Sequence, residues 1–290
     1  MINLLVILII IFYTSYTIYS NRYTFLINNL LKDRNIISIE QKPHLLENPI
    51  NEFYINTSHN SYINSIQHLS IVRKETIQNI LQLGVRCIEL DITDINNIPI
   101  IAHGNKKYIT TTYISLENIL DTILEYGFNT SDPLIIFCEI YNPNNLQLVK
   151  NIKQIFINKF NNKISKLTIN LDENITNKPI KLFLNKVILF GTLDQYNILS
   201  EIFYPQSNFI NREHSDKLNL IYNNTNKFGK IYYEEGIGSF LSLNINFIPL
   251  WKNNYKLIGM NYQMKDKLLY DYLYYFKNTS FIHESELKLN

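Results

Sequence analysis

Gly84-Val85-Arg86-Cys87-Ile88-Glu89-Leu90-Asp91 decides the fold class, because a short apolar run carries Cys87, Glu89 and Asp91 at even steps. Side chains at period two share one face of a strand, so both carboxylates leave the run on the same side as Cys87. Three more apolar runs around it end in the same manner. Phe53-Tyr54-Ile55 leads into Ser58-His59-Asn60, Pro99-Ile100-Ile101-Ala102 delivers His103-Gly104, and Leu134-Ile135-Ile136-Phe137-Cys138 delivers Glu139. Successive strands that each end on an acid, amide or imidazole match the active-site face of a barrel enzyme.

Between and beyond these runs the pattern keeps alternating. Residues 70–83, 115–126 and 146–160 carry apolar stripes at helical spacing, Ser115 is placed to cap its helix, and residues 186–193 and 257–262 read as further strands. Strand-then-helix alternation over 290 residues predicts an α/β fold, a distorted TIM-like (β/α)8 barrel preceded by an N-terminal hydrophobic helix. The stripes themselves are core packing, not ligand sites. Residues 161–181 are polar and Asn-rich and read as an irregular excursion. The expected division is an anchor or signal segment at 1–20, a juxtamembrane linker at 21–48, the catalytic barrel at 49–277 and a loose tail at 278–290.

Apolar residues make up 46% of the chain and the charged 18% nearly balance at +2, which excludes a disordered chain and gives no polyanion-binding surface. Nucleic acid is therefore not an expected partner. Residues 2–19 carry no charge and could just span a bilayer, with neither a basic n-region nor a clear cleavage site, so an uncleaved membrane anchor is expected. Arg22, Lys32 and Arg34 on its C-terminal side place the bulk of the protein in the cytoplasm by the positive-inside rule. A cleaved segment would instead make the protein secreted. Two cysteines are too few for a disulfide framework, and Cys138 points away from the face that carries Glu139, so both read as buried thiols.

Glu89, Asp91 and Glu139 gathered in a barrel mouth would each cost several kcal/mol uncompensated, so a cation among them is expected. Oxygen donors from carboxylates and an Asn amide suit a hard ion such as Ca²⁺ or Mg²⁺ and not zinc. Two histidines outside the metal shell would then handle protons. This is the composition of a metal-assisted phosphoryl transfer site.

The motifs Ser58-His59-Asn60-Ser61-Tyr62, Gly84 to Asp91 and Pro99-Ile100-Ile101-Ala102-His103-Gly104, in that order, resemble the X-region signature of phosphoinositide-specific phospholipase C. Glu139 stands where that family ends its fourth strand on a glutamate. Lys230-Ile231-Tyr232, residues 244–251 and Gly259-Met260-Asn261-Tyr262-Gln263 look like its Y region, giving an X-like half at 49–193 and a Y-like half at 204–277. The resemblance implies that Asn60, Glu89, Asp91 and Glu139 hold Ca²⁺ while His59 and His103 flank the phosphate. It further implies attack by the inositol 2-hydroxyl with Glu89 taking its proton, a cyclic phosphate product, and His103 protonating the diacylglycerol oxygen before activating water. Lys230, Tyr232 and Lys106 would contact the headgroup, and the partner would be a membrane phospholipid, phosphatidylinositol or its phosphates.

Departures bear on the substrate. Family members that select polyphosphorylated headgroups carry two lysines, one residue apart, where this chain has Phe190-Gly191-Thr192, and Lys230 replaces an arginine of the Y region. The resemblance therefore implies weak selection for the 4,5-bisphosphate. Two other readings stay open: a glycerophosphodiester phosphodiesterase, whose first motif is normally His-Arg-Gly, and a membrane-tethered lipid-binding pseudoenzyme.

Overall fold

The computed structural model describes residues 2–32, 34–65, 70–105, 108–169, 175–205, 209–212, 228–232 and 243–289. In chain order the elements are α1 (Ile2–Lys32), β1 (Phe53–Ile55), α2 (Lys74–Gln82), β2 (Cys87–Ile95), β3 (Ile98–Ile101), β4 (Gly104–Asn105), β5 (Tyr108–Ile109), β6 (Ile114–Ser115) and α3 (Leu116–Tyr126). They continue with β7 (Leu134–Ile140), α4 (Leu146–Phe160), α5 (Ser165–Thr168), β8 (Val187–Gly191), β9 (Phe209–Arg212), β10 (Phe228–Tyr232), α6 (Phe247–Lys252), β11 (Leu257–Gly259), α7 (Lys267–Tyr275) and β12 (Phe281–His283). The three expected helices form, α2 starting at Lys74, four residues later than the stripe suggests, α4 with the expected bounds, and α3 with the Ser115 hydroxyl accepting from Asn118 N at 3.3 Å.

A parallel ladder runs β9-β10-β11-β1, passes to β2 through the Thr57–Cys87 bridge, and continues to β7 and β8. Phe190 on β8 then pairs in parallel with Tyr204, just ahead of β9. Strands thus neighbour one another in cyclic chain order, as in an α/β barrel. Alternation along the strands separates two cores. Ile55, Cys87, Ile135, Phe137, Ile188, Phe190 and Leu257 fill the barrel interior, whereas Ile88, Leu90, Leu134, Ile136, Cys138, Val187 and Leu189 pack outward against the helices. Within the interior Phe137 stacks on Phe190 with centroids 5.5 Å apart, and such a fully buried side chain contributes about 1.5–3 kcal/mol. Cys87 and Cys138 form no disulfide and are both buried, one in each core.

Four expectations are corrected. β3 is antiparallel to β2, returning from it through a hairpin at Asn96 (φ 51°) and Asn97 (φ 66°), so it is not a further parallel stave. Both turn residues have positive φ, the type I′ geometry that Asn tolerates. The tail is not loose: β12 pairs antiparallel with β1, Phe53 opposite His283 and Ile55 opposite Phe281, and Phe281 is buried. Residues 21–48 are not a plain linker, because α1 continues to Lys32, buries Ile27 and Leu30, and is followed by buried Ile39 and Leu45. Arg34 closes this junction by donating to the Phe276 carbonyl at the end of α7 at 2.5 Å. Finally, among the described residues no helix is long and apolar enough to cross a membrane, so the transmembrane helix has no support.

Candidate active site

Above the interior plug the inward-facing positions turn acidic. Cys87 belongs to the plug, and Glu89 and Asp91 follow it on the same face of β2; Phe137 belongs to the plug, and Glu139 follows it on β7 directly opposite Asp91. Glu89 and Asp91 are buried, while Glu139 is exposed at the rim. The loop after β1 is fastened to this face by reciprocal bonds, Ser61 N to Glu89 O at 3.2 Å and Glu89 N to the Ser61 hydroxyl at 3.0 Å. Asn60 takes a left-handed conformation (φ 43°), and its backbone N–H donates to Glu89 Oε2 at 3.3 Å. Asn is among the few residues that adopt this conformation readily.

His59 lies beside the same carboxylate, its Nε2 3.5 Å from Glu89 Oε2, and its Nδ1 is 2.8 Å from the Asn261 side-chain oxygen. Asp91 accepts from the Tyr141 hydroxyl at 2.9 Å, and the Tyr62 hydroxyl donates to Asn60 Oδ1 at 3.3 Å. Burial first, then the charges of Glu89 and Glu139, pushes the Asp91 carboxyl well above its usual range, against the pull of hydrogen bonds from Tyr62 and Tyr141. The same environment raises the Tyr62 and Tyr141 phenols, chiefly by burial and next by the Asp91 charge.

His103 reaches the mouth by the hairpin route. Ala102 N donates to Asp91 O at 3.3 Å, which sets the descending end of β3 level with the acidic face of β2. The His103 backbone is held by the Thr111 hydroxyl (3.0 Å), and its Nδ1 lies 3.3 Å from Thr110 Oγ1, so the short β4–β5 excursion folds back to orient the ring. His103 is buried.

The structure therefore brings His59, Asn60, Glu89, Asp91 and Glu139 to one end of the barrel, with His103 beside them. Among the described residues no group of three or more His, Cys, Asp or Glu side chains is drawn tightly enough to hold a metal ion. Lys106 lies outside the described residues, and for Lys230 and Tyr232 only the backbone is described, opposite Leu257 and Gly259. Tyr141 and Asn261 escaped a sequence-based role. Tyr141 carries no strand-end signal beyond following Glu139 by two, and Asn261 is one of many asparagines in this chain.

The family model for phosphatidylinositol-specific phospholipase C, X domain, matches residues 46–192. The chain belongs to the phosphatidylinositol-specific phospholipase C family. Curated relatives include the 1-phosphatidylinositol 4,5-bisphosphate phosphodiesterase of Dictyostelium discoideum, 35% identical over 112 residues (37% of this chain, 14% of the relative). Another is the 1-phosphatidylinositol 4,5-bisphosphate phosphodiesterase 1 of Saccharomyces cerevisiae, 38% identical over 103 residues (35% of this chain, 11% of the relative). The aligned part is thus a small fraction of those proteins' length. Among solved structures, L. pealei PLC21 superposes with a TM-score of 0.70 at 17% identity, covering 82% of this chain and 37% of that one. The phosphatidylinositol-specific phospholipase C of Listeria monocytogenes gives 0.56 at 14% identity, covering 78% of this chain and 94% of that one. At such identities the superpositions speak for the fold, and the X-domain match is what fixes the family.

Proposed function

We propose that this chain is a calcium-dependent phosphoinositide phospholipase C, cleaving phosphatidylinositol or its phosphates to diacylglycerol and an inositol phosphate through a cyclic phosphate. The observation that carries the reading is the convergence on one barrel end of an imidazole from the β1 end, two buried carboxylates from β2, a third in register on β7, and a second imidazole from the β2–β3 hairpin. The curated relatives of this chain in Dictyostelium discoideum and Saccharomyces cerevisiae are named 1-phosphatidylinositol 4,5-bisphosphate phosphodiesterases.

Asn60, Glu89, Asp91 and Glu139 would hold Ca²⁺, and the fit is one of donor chemistry: oxygen ligands only, with like charges buried side by side that need a counter-cation. Bound there, the ion supplies positive charge against the phosphate and acidifies the attacking hydroxyl. Glu89 takes the proton of the inositol 2-hydroxyl as it attacks phosphorus. The bond from phosphorus to the diacylglycerol oxygen breaks, and His103 gives that oxygen its proton. His59 then faces the equatorial oxygens, where charge accumulates. In the second half His103 takes a proton from water, which opens the cyclic phosphate. Lys230, Tyr232 and Lys106 are assigned to the headgroup.

A lipid substrate requires contact with a bilayer, and α1 offers an apolar surface suited to one, with Val6, Ile7, Leu8, Ile10, Ile11 and Phe12 all exposed. We place the protein at a membrane surface by this segment, with the catalytic domain in the cytoplasm. The deciding experiment incubates the full chain with phosphatidylinositol and its mono- and bisphosphates, with Ca²⁺ or chelator, and identifies the released headgroups. Calcium-dependent release of inositol phosphate together with its cyclic form is expected. Lipid binding without release would replace this reading by the pseudoenzyme.

A further inference from the structure

We infer that Asn261 is a positioning residue for His59, holding the ring proton on Nδ1 so that Nε2 is presented to the acidic mouth; this rests on the proposed placement of His59 against the phosphate. The Asn261 side-chain oxygen sits 2.8 Å from His59 Nδ1. Which end of the amide faces the ring is settled by its other contact, since Nδ2 donates to the Leu243 carbonyl at 3.0 Å. A flipped amide would lose that bond and set an N–H against the ring.

The amide is itself clamped. Asn261 N donates to Asn244 Oδ1 at 2.7 Å, and Asn244 Nδ2 returns bonds to Asn261 O at 3.2 Å and Met264 O at 3.0 Å. Asn244 Nδ2 also lies 3.1 Å from the Asp266 carboxylate, the group that caps α7. The His59 backbone is tied to the same strand end, its N–H donating to Met260 O at 3.0 Å. Ring and backbone are therefore both referenced to β11, and Asn261 is 1% exposed.

The ring has an acceptor on each side, Asn261 Oδ1 2.8 Å from Nδ1 and Glu89 Oε2 at the longer 3.5 Å from Nε2; the closer one favours the neutral ring's proton on Nδ1, which leaves Nε2 directed into the site as a lone pair, or as an N–H once the ring is charged. An amide does this without adding a negative charge beside Glu89, Asp91 and Glu139. Fixing the tautomer and orientation through a second residue is how active sites keep an imidazole within productive geometry.

The test is histidine ¹⁵N spectroscopy on the full chain at about pH 8.5, above the ordinary histidine range, with His59 assigned by its loss in His59→Gln. Wild type should show the Nδ1–H tautomer, and Asn261→Asp, which keeps the acceptor, should retain it. Asn261→Leu should move His59 to Nε2–H or a mixture, and lower kcat about 10- to 100-fold with little change in KM. An Nε2–H tautomer in wild type, an unchanged tautomer in folded Asn261→Leu, or a shifted tautomer with wild-type kcat would each overturn the inference. If Asn261→Leu does not fold, the wild-type and Asn261→Asp spectra decide. The tautomer is read without lipid, so failure to cleave any phosphoinositide would remove the proposed activity while leaving the spectroscopic result to stand or fall separately.

Discussion

Asp91 is buried between Glu89 and Glu139 with two tyrosine hydroxyls near it, and its carboxyl titrates well above the ordinary value of 3.8. Because the folded protein then binds a proton that the unfolded chain has already released, stability without metal should fall as pH rises above about 4 and go on falling until the folded group ionises. Thermal unfolding in chelator across that range should show this decline. Asp91→Asn should flatten it, and should also raise the calcium needed for activity, as should Glu89→Gln. Calcium titrations identical to wild type would take both residues out of the metal shell. His103→Ala removes the proposed acid without touching an interior contact of the plug, and kcat should fall by a factor of about 10² to 10⁴ while folding is kept.

The β2–β3 hairpin is the element on which His103 depends. Its turn needs positive φ at Asn96 and Asn97, so Asn96→Gly should be tolerated, whereas Asn96→Val should cost about 1–2 kcal/mol and disturb His103. Chemical denaturation and kcat of the two variants make the comparison. This turn was not legible in advance, because an Asn-Asn pair carries little information in a chain so rich in asparagine. Strand direction is likewise a tertiary property: the run 99–102 looks the same whether it joins the barrel or folds back on β2. The inward column Cys87-Glu89-Asp91 and the opposite placement of Cys138 were legible, since period two depends on nothing beyond the strand itself. The pairing of β12 with β1 was hidden by its shortness and by the distance along the chain between Phe281 and Ile55.

At the scale of the molecule, the plug and the proposed headgroup site draw on the same strands, and this bears on substrate choice. Each phosphate on inositol brings about −1.5 to −2 charges that need cationic partners. Where bisphosphate-selecting relatives are expected to present two lysines, Phe190 is wholly buried, stacked on Phe137 and 5.7 Å from the ring of Tyr204. Phe190 therefore serves the barrel interior, and Phe190→Lys would cost several kcal/mol instead of making a phosphate reader. Thr192, the next inward position, is half-buried, and its hydroxyl accepts from Ile140 N at 3.3 Å, so it offers no cation either. Phosphatidylinositol or its monophosphate should be cleaved at least as well as the 4,5-bisphosphate in mixed micelles at matched surface concentration. Thr192→Lys alone should shift the ratio toward the bisphosphate without unfolding the barrel. A wild-type chain that strongly prefers the bisphosphate would overturn this, and would assign phosphate recognition to Lys106 or Lys230.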